Sequence, residues 1–84
     1  MKSERLTSAQ IRAARALLRW SAVDLAEASS VAANTIRRAE VADGPTTLTA
    51  ANDLAIRRAL EEAGVDFIEK NGGGAGVRLR KDPE

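Results

Sequence analysis

Apolar side chains recur at helical intervals through the first sixty residues and alternate only near the end of the chain. Ile11, Ala14 and Leu18 fall one turn apart with Leu17 beside them, which predicts a helix over about residues 8–19. Its start is marked by Thr7-Ser8-Ala9-Gln10, a capping box in which the threonine hydroxyl accepts from the Gln10 amide and the glutamine side chain reaches back. Leu6 and Ile11 stand at the staple positions on either side. Ser21-Ala22-Val23-Asp24 repeats the device, with Trp20 and Leu25 as its staple pair, and predicts a second helix over about 22–29. Two boxes this close leave almost no linker.

Ser29-Ser30 interrupts the second helix, and helical spacing resumes over about 33–41 with Ile36 as the apolar anchor. Two short helices joined by a turn of about three residues form a tight angled pair, the geometry of a helix-turn-helix. Ala42-Asp43-Gly44-Pro45-Thr46 reads as a loop from its Asp-Gly and Gly-Pro dipeptides. A longer helix is expected over about 48–63, its inward face built of Ala55, Ile56, Ala59, Leu60 and Ala63. Gly64 is suited to a left-handed cap, with Val65 supplying the hydrophobic contact after it.

The period then changes to two. Val65 to Glu69 and Gly76 to Arg80 are strand-like, and Asn71-Gly72-Gly73-Gly74 between them reads as a turn, giving a β-hairpin over about 65–80. Val65, Phe67, Val77 and Leu79 would share one face, and Glu69 would stand across from Arg78. A lone hairpin is marginal in water, so this one either lies on the helices or pairs with a second copy of itself. Residues 81–84 are expected to fray. The prediction is a single, mostly α domain over 1–84: a compact helical bundle with a helix-turn-helix and a C-terminal β-hairpin.

Composition narrows the chemistry. With no cysteine and no histidine, disulfides, thiolate metal sites and the commonest general base are all missing. Glu61-Glu62 has nothing to pair with and reads as a solvated helix face, while Gly72-Gly73-Gly74 is followed by neither a helix start nor a Lys-Ser/Thr pair and is no phosphate loop. No enzyme, cofactor or metal is expected. No apolar run approaches a membrane span and the N-terminus does not read as a signal peptide, so a cytoplasmic protein is expected. The net charge of +1 conceals a polarised chain. Residues 1–39 carry seven basic and three acidic side chains, 40–69 two and seven, and 70–84 four and two. One basic face could meet phosphate while another stays in water.

Ser21 to Glu40 resembles the helix-turn-helix of the XRE family, the phage Cro and repressor-like regulators with the lambda-repressor-like DNA-binding fold. The likeness is carried by Leu25-Ala26, by Val31 in the turn, and by Thr35-Ile36-Arg37-Arg38 with Glu40. Ala13 to Ser21, Ala59 to Ile68 and the ending Asn-Gly-Gly-Gly with Gly-Val-Arg-Leu-Arg also resemble a short bacterial subgroup, extending the likeness over about 5–81. The resemblance implies a sequence-specific, double-stranded DNA-binding transcriptional regulator or repressor. It would act as a homodimer on half-sites about 34 Å apart. The hairpin and the fourth helix are the candidate dimer surface. It further implies that Ala33, Asn34 and Arg38 contact bases: Asn34 with adenine, Arg38 with guanine, the Ala33 methyl against a thymine methyl. Thr35 and Arg37 suit phosphate, as does the amide end of the second helix at Ala22 and Val23.

Four positions depart from the family pattern: Ala22 where Gln is frequent, Ser30 where Gly is common, Ala32 at the usual Ser or Thr cap, and Ala39 for a larger apolar residue. They predict a more loosely held third helix. Arg12, Arg15 and Arg19 are as readily a solvated face as a phosphate contact, and Trp20 reads as a core staple. An antitoxin-like or antirepressor-like interaction module on the same fold is the alternative function.

Overall fold

A computed structural model describes residues 5–42, 44–69 and 72–80. Four helices, α1 (Ser8–Leu18), α2 (Ala22–Ser29), α3 (Ala33–Val41) and α4 (Ala50–Glu62), precede two antiparallel strands, β1 (Val65–Ile68) and β2 (Gly76–Leu79). The expected mostly α fold with a C-terminal hairpin is the fold observed. Both capping boxes close reciprocally. Gln10 N–H donates to Thr7 Oγ1 at 3.1 Å and Thr7 N–H to Gln10 Oε1 at 2.9 Å; Asp24 N–H donates to Ser21 Oγ at 3.0 Å and Ser21 N–H to Asp24 Oδ2 at 2.8 Å. The α1–α2 turn is tight because Arg19 takes a left-handed conformation, φ 59°, a position that carries no glycine.

One core runs through the molecule. Leu6, Ile11, Ala14, Leu25, Val31, Ile36, Ala39, Ile56, Leu60 and Val65 are buried in it, with Leu18, Trp20 and Phe67 packed against its margin. Leu6 lies outside any helix and is held from far along the chain. Its N–H donates to the buried Asp53 carboxylate at 3.1 Å, Arg5 Nη1 donates to the Leu48 carbonyl at 2.9 Å, and Ser8 N–H to the Gly44 carbonyl at 2.9 Å. Asp53 is thus an inward residue of α4 that an apolar pattern does not reveal.

Three details differ from the sequence expectation. The fourth helix begins at Ala50, not near Leu48, because the Thr49 hydroxyl caps it by accepting from Asn52 N–H at 3.1 Å. Leu48 is buried ahead of the helix, in the connection. Glu69 does not face Arg78: the register pairs Asp66 with Arg78 and Val65 with Leu79. That register is pinned at the open end, where Arg80 N–H donates to the carbonyl of Gly64, itself at φ 111°, and Val65 is buried directly after it. Asp66 instead meets Arg78 at 3.7 Å and Arg80 at 3.6 Å.

The hairpin lies on the helices, β1 against α4 and β2 against α1. Gln10 Nε2, free of its cap role, donates to the Gly76 carbonyl at 3.1 Å, and Arg57 lies 5.0 Å over the Phe67 ring. Among the described residues no helix is long and apolar enough to cross a membrane. The expected fraying of 81–84, and residues Asp43 and Asn71 of the two expected turns, fall outside the described residues.

Candidate nucleic-acid interface

The helix-turn-helix comprises α2, residues 30–32 and α3. Ser30 closes α2 in a left-handed conformation, φ 63°, where a side chain costs roughly 1–2 kcal/mol relative to a right-handed one. The Ser29 hydroxyl spans the turn, donating to the Leu25 carbonyl at 2.7 Å and accepting from Val31 N–H at 3.2 Å. Val31 and Ile36 are buried at the corner, and half-buried Ala26 packs there. Ala32 makes no side-chain cap, so the first amides of α3 have no hydroxyl partner.

What orients α3 is its inward edge. Ile36, Ala39 and Glu40 are buried, and Glu40 accepts both forks of Arg15 on α1: Nε to Oε2 at 2.6 Å and Nη2 to Oε1 at 2.7 Å. Arg15 Nη1 also donates to the Trp20 carbonyl at 2.8 Å, and Arg12 Nη1 donates to the Glu40 carbonyl. These two arginines therefore clamp α1 to α3; Arg19 makes no such contact. The hydrogen bond that Arg15 donates to Glu40 raises the Arg15 pKa more than burial lowers it, and the carboxylate's charge adds to the rise. Ala39 is buried on the same edge of α3 as this pairing.

With that edge turned in, Asn34, Arg37 and Arg38 are exposed together, and Ala33 and Thr35 flank them half-buried. Arg37 Nη1 donates to Asn34 Oδ1 at 3.2 Å. This occupies one of the amide oxygen's two lone pairs and leaves the Asn34 NH₂ as a donor. Arg38 and Thr35 also line a hollow of about 140 Å³ with Thr47, Leu48, Thr49 and Asn52, at the start of α4. A guanidinium, hydroxyls and an amide beside a helix N-terminus suit an anion. The sequence reading missed Thr47, Thr49 and Asn52; the Thr49 cap was the one signal that pointed there.

At the start of α2 the Ala22 side chain is buried, so only its backbone amide can serve an interface, while the Val23 side chain is exposed. The Asp24 carboxylate caps this same end of the helix. The expected residues therefore form two groups, the α3 face and the α2 start, and the second carries a negative charge. Among the described residues no cluster of acidic side chains could hold a metal ion. The sequence matches no protein-family model, and no curated protein matches it.

Proposed function

We propose that this protein is a sequence-specific, double-stranded DNA-binding transcriptional regulator of the XRE type, acting in the cytoplasm as a homodimer. One observation carries the reading: α3 is fixed in rotation by buried Ile36, Ala39 and Glu40, so Asn34, Arg37 and Arg38 face outward as a set. Asn34 and Arg38 have the donors that read adenine and guanine edges in the major groove, and Ala33 can touch a thymine methyl. Thr35, Arg37 and the α2 amides at Ala22 and Val23 fit phosphate, joined by the hydroxyls of Thr47 and Thr49. Leu54 of α4 and, on opposite faces of the hairpin, Ile68 and Leu79 are exposed apolar side chains on the two elements proposed to form the dimer surface.

Titration with random-sequence and selected duplexes at two salt concentrations tests this. Affinity should fall steeply with salt, by a log–log slope of roughly 0.9 per phosphate neutralised. Arg37→Ala with Arg38→Ala should abolish binding without changing the melting midpoint; unaltered binding overturns the reading.

The Asp24 carboxylate at the start of α2 favours a second reading. A negative charge there opposes a phosphate, as expected of an antitoxin-like or antirepressor-like module that has lost part of its DNA contact. Such a module would bind duplexes weakly at both salt concentrations.

A further inference from the structure

Among the large apolar side chains in contact with solvent, Val41 stands apart. It is 82% exposed, whereas Leu17, Val23, Leu54, Ile68 and Leu79 lie between 39% and 49%. Its neighbours impose this. Glu40 is drawn inward by Arg15, so the next residue, about 100° further round the helix, points away from the core. Asn34, Arg37, Arg38 and Val41 then occupy positions i, i+3, i+4 and i+7, a single exposed stripe along α3. No acidic side chain interrupts it, because the one carboxylate of α3 is turned to Arg15. The valine ends a row of two guanidiniums and an amide.

We infer that Val41 reads a base: its methyl groups pack on the C5-methyl of a thymine in the major groove, about three base pairs from the base contacted by Asn34. The inference rests on the proposed DNA-binding function and extends it to the last turn of α3. Seven residues span about 10 Å of helix, or about three base steps of 3.4 Å when the helix lies along the groove. A recognition helix that lies along the groove, as a homeodomain's third helix does, reaches base edges from these same offsets; here Arg37, paired with Asn34, is the one turned to phosphate. Thymine alone offers a methyl group there. The flanking guanidiniums favour a polyanion over the apolar patch of another protein as the occupant of this stripe.

The test begins with duplexes selected from a random pool by the unaltered protein. Each thymine of the enriched site is then replaced singly by deoxyuridine, which lacks only the methyl group. One replacement should weaken the unaltered protein about three- to fivefold, the factor that burial of one methyl group supports, and leave Val41→Ala unaffected. Val41→Ala should already bind the parent site more weakly by at least that factor, with its melting midpoint unchanged. If a site is enriched but holds no thymine, or if every replacement acts equally on both proteins, the inference is overturned while the DNA-binding reading stands. If the unaltered protein enriches no sequence, that reading falls and the inference with it.

Discussion

Arg15 and Glu40 meet edge to edge, two parallel charge-assisted hydrogen bonds joining the last turn of α1 to the last turn of α3. The Glu40 side chain is only 8% exposed, so removing its partner would strand a carboxylate out of water. Arg15→Ala is expected to cost about 2–4 kcal/mol and to lower the melting midpoint by roughly 10–25 °C. Arg15→Lys should lose part of this, since one ammonium cannot hold both oxygens and the Trp20 carbonyl. The double change Arg15→Met with Glu40→Leu should recover much of the loss. A midpoint within two degrees of the parent for Arg15→Ala would mean the pair anchors nothing. A raised pKa on a base means that the contribution is complete below the ordinary arginine range and is lost only as pH climbs through the raised value. No alkaline loss from Arg15 is expected in ordinary buffers.

Asp24 supplies both a cap and a charge, and the two can be separated. Asp24→Asn keeps an oxygen for Ser21 N–H while removing the negative charge from the start of α2. Duplex affinity should rise severalfold at low salt, and the gain should shrink as salt screens it. Stability should fall by only about 0.3–1 kcal/mol, the helix-dipole share. Affinity that does not change would place the start of α2 away from phosphate.

Helix α3 can be improved at its entry. Ala32 has φ −59° and ψ 140°, a backbone ready for a cap that its side chain cannot make. Ala32→Ser should stabilise the fold by about 1 kcal/mol, raising the midpoint by roughly 4–8 °C. Ser30→Gly should also stabilise, by less than its left-handed strain, because glycine loses more entropy on folding. A lower midpoint for Ala32→Ser would show that the hydroxyl cannot reach the Thr35 amide.

The legible parts of this fold were those written in adjacent residues. Thr7 with Gln10 and Ser21 with Asp24 announce two helix starts within a window of four, and both close as expected. Gly64 and Val65 likewise mark the end of α4 by local chemistry. Partnerships across the chain were not legible. Nothing near Glu40 says that an arginine 25 positions earlier will bury it, and nothing near Asp53 says that its carboxylate will hold Leu6.

The candidate site divides the same way. Asn34, Arg37 and Arg38 followed from the period of α3, because a helix with one apolar edge must expose the other. Thr47 and Asn52 did not, since they join Arg38 only through the path of a connecting segment. The hairpin register failed for a related reason. Counting charges matched Glu69 to Arg78, whereas burial of Val65 and the Arg80–Gly64 hydrogen bond decide the pairing.

Leu6 has a kinetic consequence. Its contact with Asp53 spans 47 positions, and that of Arg5 with Leu48 spans 43, so this clasp gains its enthalpy only after a long ring of chain has closed. Such contacts are expected to form late, after α1 to α4 have docked. Asp53→Ala, which removes the acceptor of the Leu6 N–H, should therefore act on the exit from the native state. The unfolding arm of a chevron should accelerate and the refolding arm barely move, whereas a slowed refolding arm would place this clasp in the nucleus.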